Sequence, residues 1–333
     1  MTLVADSTRA ATELVARVRA GEDVACARLM SWAERGDARF AAAYAGFFGD
    51  LGKARRLGIT GPPGAGKSTL VEGLTRHWRR QQRTVGIVAV DPTSPFSGGA
   101  LLGDRVRMST LALDKGVFIR SMATRGVFGG LARATDDVAD VLDLFGRDLV
   151  LLETVGVGQS EVDVARSTDL TLVVLHPGGG DTIQAMKAGL MEVADIYVVN
   201  KADMPGVDTL VQQLHDILDV RDLPQMARPP VVTTVASDGT GVVELATLVD
   251  ELLASREADG RLAARRADNH RRRVRRLVEG RLRHDVWQEA GLGAVLDEAV
   301  AGSGASGVSA YGLAEDILDA YRRRRDAPPG NPA

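Results

Sequence analysis

Apolar residues recur along the chain with two different periods. Over the first fifty positions they fall near helical spacing, Leu14, Val15 and Val18 being followed by Ala25, Leu29, Trp32 and Ala33. That spacing predicts helix, broken at Gly21 into two short pieces. From about 54 to 255 the pattern changes. Short apolar runs at 57–60, 85–90, 117–120, 149–153, 170–175, 196–200 and 231–235 alternate with amphipathic stretches. Several runs are continuous, such as Val85-Gly-Ile-Val-Ala-Val90, and strands that are apolar on both faces are buried on both faces. The pattern predicts an α/β fold with a mostly parallel central sheet flanked by helices. After about 256 the strands stop, a last helix reads over 307–321, and a Pro-rich tail follows from 326. Three segments result: an N-terminal helical extension at 1–50, a sheet domain at 51–255 and a C-terminal helical region at 256–333.

The ends of the predicted strands carry the chemistry, where ligands of such sheets bind. The run at 57–60 leads into Gly61-Pro62-Pro63-Gly64-Ala65-Gly66-Lys67-Ser68, with Thr69 next and a helix predicted over 67–81. This is G-x-x-x-x-G-K-S between a strand and a helix, the phosphate-binding P-loop. Its glycines let successive N–H groups face phosphate oxygens at a positive helix end. Lys67 is expected to reach the β- and γ-phosphates and the Ser68 hydroxyl to ligate Mg²⁺.

Further motifs follow at the next strand ends. Asp91 closes the second run, ahead of a Pro- and Gly-rich loop that contains Asp104. Each of these acids fits the Mg²⁺ shell, and each equally fits a turn residue or a helix N-cap. Glu153-Thr-Val-Gly156 has the acid and glycine spacing of a switch, the carboxylate acting on the Mg²⁺ shell and the glycine N–H on the γ-phosphate. Val157 stands after Gly156 in place of a water-orienting Gln, so intrinsic hydrolysis should be slow, with Gln159 as a candidate substitute. Lys187 lies beyond the Gly178-Gly-Gly180 loop, on a helix expected from about Thr182. Asn200-Lys201-Ala202-Asp203 then supplies a guanine reader, because the Asp203 carboxylate accepts from guanine N1–H and N2 and adenine lacks that donor pair. Lys201 lays its stem along the base and Asn200 braces the loops. Ala236, in Thr234-Val-Ala-Ser-Asp-Gly-Thr-Gly241, falls in a base-side loop whose backbone N–H meets the guanine oxygen. A phosphate motif and a base motif in this order read as a GTPase.

Composition narrows the picture only slightly. The 333 residues are 45% apolar and 26% charged with a formal charge of −3, an ordinary globular balance. One cysteine, Cys26, excludes a disulfide framework, and five scattered histidines argue against a protein-borne metal cage. No run has the length of a membrane span and no signal segment is evident, so a cytoplasmic location is expected. Residues 261–283 hold ten arginines against Asp268 and Glu279. With no interleaved aromatics, the run reads as an exposed helix packing on a partner or second subunit rather than on nucleic acid.

Taken together, the blocks at 59–69, 89–94, 98–105, 153–161 and 200–203 resemble the MeaB/ArgK family of P-loop GTPases, over about 10 to 325. Glu153-Thr-Val-Gly-Val-Gly-Gln-Ser-Glu161 is the most specific of them, since generic GTPases carry Asp-x-x-Gly there. The resemblance implies a P-loop NTPase that chaperones a cobalamin-dependent acyl-CoA mutase, methylmalonyl-CoA mutase above all, gating adenosylcobalamin loading and ejection of damaged cofactor. It implies that Lys67, Ser68, Asp91, Asp104 and Glu153 surround the phosphates and Mg²⁺. It also implies three switch segments, at 91–108, 153–166 and 176–187, with Lys187 stabilising transition-state charge. The C-terminal helices would form a homodimerisation arm, and cobalamin would be held by the mutase and its cobalamin adenosyltransferase rather than by this chain. Val235 departs from the Ser usual in such base loops. Two rival readings are a nickel-insertion maturation GTPase and a small-molecule or protein kinase of the same P-loop class.

Overall fold

In the computed structural model, residues 2–91, 111–123, 130–154, 166–178, 192–220, 228–302 and 309–326 are described. The chain divides into two units, Met1–Asn269 and His270–Ala333.

The first unit opens with helices α1 (Thr2–Arg19), α2 (Asp23–Arg35) and α3 (Ala38–Ala45). Gly21, at φ 82°, makes the break the sequence predicts. There follow β1 (Arg55–Thr60), α4 (Lys67–Arg80), β2 (Val85–Asp91), β3 (Val117–Ala123), α5 (Gly130–Leu144), β4 (Leu149–Thr154), β5 (Leu170–Leu175), β6 (Ile196–Asn200), α6 (Val207–Val220), β7 (Val231–Thr234) and α7 (Val242–Ala258). All seven predicted runs are strands. They form one sheet in the order β3-β2-β4-β1-β5-β6-β7, and every pairing is parallel. Every strand therefore ends on the same side.

Strand alternation sorts the core into two layers. Leu149 and Leu151 share one cluster with α4 and α7. Val150 and Leu152 share the other with α1, α2, α3 and α5. A third cluster covers β5 and β6 with α6. Among the described residues no helix is long and apolar enough to cross a membrane.

At the opposite edge of the sheet, where the strands begin, carboxylates gather. Asp143 accepts from the N–H groups of Gly52 and Ala54 at 2.7 and 3.0 Å, and Asp140 accepts from Arg56 and from the Tyr44 hydroxyl at 2.5 and 2.9 Å. Helix α8 (Arg261–His284) begins here within the first unit. Arg266 forks onto Asp169 at 2.7 and 2.6 Å, and Arg265 reaches Asp195 at 3.0 Å. The head of the arginine run is thus an intramolecular anchor. The carboxylate partners of Arg265 and Arg266 lie 70 and 97 residues upstream in sequence, at strand starts, where helical spacing gives no hint of them.

Asp169 is 2% exposed and also accepts from the Arg56 N–H at 2.9 Å. Asp169→Ala is expected to cost about 3 kcal/mol, because it leaves the half-buried Arg266 without its acid. Urea denaturation followed by circular dichroism checks this; a loss under about 1 kcal/mol would make the pair a surface one.

The second unit holds the rest of α8, a π-helical turn (Asp285–Glu289), α9 (Leu292–Gly302) and α10 (Ala310–Asp326). Leu292 and Ile317 are buried, and Arg281 pairs with Asp285 and Glu289. Val274, Leu277, Val278 and Leu282 stay about half exposed on α8.

Candidate nucleotide-binding site

The loop from Gly61 to Gly66 joins β1, the central strand, to α4. Two of its glycines are required by neighbours as well as by φ. A Cβ on Gly61, at φ 138°, would lie 2.0 Å from the Val174 carbonyl oxygen, and one on Gly66, at φ 86°, would lie 2.3 Å from Asn200 Nδ2. The loop is therefore pressed against the ends of β5 and β6. Pro63, Gly64 and Thr69 are exposed, whereas Pro62 and Ala65 are buried.

Lys67 is only 6% exposed and curls into its own loop, donating from Nζ to the carbonyls of Gly61 and Pro62 at 2.7 and 2.9 Å. Beside it, Ser68 Oγ donates to Glu153 Oε1 at 2.5 Å. Glu153 is 3% exposed, at the end of β4, and pairs in register with Ile59 of β1. Lysine charge, serine hydroxyl and glutamate carboxylate thus meet at the mouth of one loop. Asp91 is the last residue of β2, next to β4 in the sheet.

On the other flank the Asn200 side chain joins three segments. Its Nδ2 donates to the Ala65 carbonyl at 2.7 Å, and its Oδ1 accepts from the Thr234 hydroxyl at 3.1 Å and the Ala236 N–H at 3.0 Å. Asn200 is 2% exposed, so the amide is spent inside the protein. Lys201 follows at φ 59°, a left-handed conformation for a side chain with a Cβ, which holds strain at this turn. Asp203 is exposed.

The loop after β7 turns tightly. Val235 bridges Thr240, and Asp238 accepts the Thr240 N–H at 2.9 Å, a backbone hydrogen bond that lowers the Asp238 carboxyl below its usual range. The Ala236 N–H expected at the guanine oxygen is engaged by Asn200 in this geometry. Thr234, not singled out in the sequence, is the partner that locks the Asn200 amide; only the β6–β7 register, which sets Asn200 opposite Thr234, reveals it. Asn200→Ala strands the Ala65 carbonyl, the Ala236 N–H and the Thr234 hydroxyl together. The expected result is a loss of roughly 2–4 kcal/mol of stability and at least about tenfold weaker GTP binding, read by thermal melting and calorimetry.

Asp104, Gly156 and Lys187 lie outside the described residues, as do most of the three expected switch segments. Cys26 is buried, which pushes its thiol well above the usual range, so thiolate chemistry is closed to it.

A phosphate loop and a base-side turn bonded through one asparagine agree with what comparison finds. Residues 27–291 match the family model described as methylmalonyl Co-A mutase-associated GTPase MeaB. A Pyrococcus abyssi protein named as a GTPase is 46% identical over 273 residues, 80% of this chain and 84% of that one. The mitochondrial methylmalonic aciduria type A homolog of Mus musculus is 38% identical over 220 residues, 65% of this chain and 53% of its own length. A solved structure described as LAO/AO transport system kinase aligns with TM-score 0.70 at 26% identity, covering 93% of this chain and 96% of that one. The chain belongs to the MeaB family of P-loop GTPases.

Proposed function

We propose that this GTPase binds GTP with Mg²⁺ between the 61–68 loop and the 200–203 turn. On that reading it spends hydrolysis on gating adenosylcobalamin loading onto a cobalamin-dependent acyl-CoA mutase, methylmalonyl-CoA mutase in the first place, and on keeping that mutase active. The observation that carries the nucleotide part is Asn200, whose three hydrogen bonds tie the phosphate loop to the turn beside Asp203. The client is supported by the family description and by the name of the mouse relative.

Each residue has a physical role in this scheme. The loop N–H groups and Lys67 neutralise phosphate charge where the wall is dry and electrostatics are strong. Asp203 supplies the acceptor pair for guanine N1–H and N2, Lys201 the apolar stem along the base, and Ala236 holds its loop through Asn200. Mg²⁺ fits the donor set, since Ser68 Oγ and the Glu153 carboxylate are hard oxygens in contact. Asp91 and Asp104 would complete its shell, and Gly156 would meet the γ-phosphate. When bound, Mg²⁺ supplies charge stabilisation for phosphoryl transfer. Lys187 answers the partner by adding charge at the transition state. The protein works in the cytoplasm as a homodimer joined through α8, whose Val274, Leu277, Val278 and Leu282 offer an apolar stripe. Cobalamin stays on the mutase and its adenosyltransferase.

Co-elution tests this. The protein and purified mutase are run together by size exclusion with GDP or a non-hydrolysable GTP analogue. A complex whose amount changes with the nucleotide is expected, and no complex in either state would refute the client. Transfer of phosphate from nucleotide to an acceptor would instead make the protein a kinase.

A further inference from the structure

Two buried threonines, both 0% exposed, lie next to the phosphate machinery without belonging to it. Thr60 ends β1, one residue before Gly61, and Thr154 ends β4, one residue after Glu153. Thr154 Oγ1 donates to Thr60 Oγ1 at 3.0 Å. The β1–β4 register, with Ile59 opposite Glu153, sets the two threonines opposite each other. Alternation then points them to the sheet face away from α4, while Glu153 faces α4 and Ser68.

We propose that this hydroxyl pair is a positioning element for GTP hydrolysis, fixing the root of the segment after Glu153 against the root of the phosphate loop. Three hydrogen bonds and three peptide links close a ring. Gly61 O accepts from Lys67 Nζ at 2.7 Å, Ser68 Oγ donates to Glu153 at 2.5 Å, and Thr154 donates to Thr60 at 3.0 Å. The peptide links are 60–61, 67–68 and 153–154. Lys67, Ser68 and Glu153, the residues assigned to phosphate and metal, all sit on this ring, and the Thr–Thr bond closes it on the other face of the sheet. Removing the bond lets the Glu153 backbone shift relative to β1, and the carboxylate loses its fixed aim at Ser68.

Stability alone gives little reason for hydroxyls here. Valine has the shape of threonine, buries without desolvating an oxygen, and fills buried positions of the same sheet at Val150 of β4 and at Val173 and Val174 of β5. A buried hydroxyl pair adds little net stability over water, yet it fixes the distance between the atoms that make it. Such a bond positions more than it stabilises.

The inference rests on the GTPase reading with Mg²⁺ held near Ser68 and Glu153. Turnover by the wild-type protein tests that reading, and the variants below test only the pair. Steady-state GTP hydrolysis is measured across a Mg²⁺ series for T154V, T154S, T60V and the T60V/T154V double variant. Affinity for a fluorescent GDP is measured with and without Mg²⁺, and melting temperature serves as a fold control. T154V is expected to lower kcat about tenfold, with KM for GTP changed less than about threefold. It should also shrink the gain in GDP affinity that Mg²⁺ brings. T154S, which keeps the hydroxyl, should recover to within about threefold of wild type, and the double variant should be no slower than the slower single, since each deletes the same bond.

The proposal is overturned if T154V keeps kcat and the Mg²⁺ effect within about twofold of wild type. It is equally overturned if T154S is as impaired as T154V, which would assign the role to packing, or if the two single effects multiply in the double variant. Should T154V fail to fold, T60V removes the same bond from the other strand and carries the same expectations.

Discussion

Lys67→Ala is expected to weaken binding of GTP by at least about a hundredfold. Lys67 brings a positive charge into the concave side of its loop, where it is 6% exposed and held by two backbone carbonyls. In so dry a position its hydrogen bonds are charge-assisted, each contributing roughly 1.5–3 kcal/mol. Its remaining N–H on a phosphate oxygen, with its charge in the dry wall, corresponds to a factor of a hundred or more, roughly 3 kcal/mol at about 1.4 kcal/mol per tenfold. Calorimetric titration of GTP and GDP into the variant reads the loss, with circular dichroism as a control for the fold. GDP should lose less than GTP, because the side chain reaches toward the terminal phosphates. Affinity for GTP within about threefold of wild type would remove Lys67 from the phosphate site.

Asp203→Asn is expected to reduce the preference for GTP over ATP by at least about tenfold, chiefly through lost GTP affinity. Guanine offers two adjacent donors, N1–H and the N2 amino group, and a carboxylate accepts both. The asparagine amide accepts one and sets its own donor against the other. Sites built around such a pair discriminate strongly because a mismatch leaves a polar group unsatisfied. The same amide matches xanthine, which has a carbonyl at C2, so the variant should gain affinity for XTP as it loses GTP. Competition of GTP, ATP and XTP for a fluorescent guanine nucleotide measures all three. An unchanged order of preference would mean that Asp203 does not read the base.

Much of this was legible in the sequence, for a physical reason. Strands buried on both faces appear as continuous apolar runs, so β2, β4 and β5 stand out, and a glycine-rich turn between such a run and a helix marks the phosphate loop. What pattern does not carry is who meets whom across the sheet. The position of β4 between β2 and β1 sets Glu153 beside Ser68, and that order follows from crossovers rather than from local sequence. The bonds of Asn200 join residues 135 and 34 positions apart. Charge was the most misleading signal. Arg265 and Arg266 sit in a run that looks solvated, yet they anchor α8 to Asp195 and Asp169. On α5, Asp136, Asp137, Asp140 and Asp143 are all buried, although aspartates on a helix usually mark its wet face. Asp140 and Asp143 are there because Arg56, Tyr44 and two backbone N–H groups need acceptors at the start of the sheet.

The central claim is that the nucleotide switch of this GTPase answers to a mutase. The most direct measurement is the rate of phosphate release from GTP at saturating Mg²⁺, as purified methylmalonyl-CoA mutase is titrated in. Slow basal turnover that rises saturably by about tenfold or more is predicted, since Val157 follows Gly156 where a water-orienting glutamine is usual and the further assistance is expected from the complex. A rate that stays flat with this mutase, and with every other cobalamin-dependent acyl-CoA mutase tried, would contradict it.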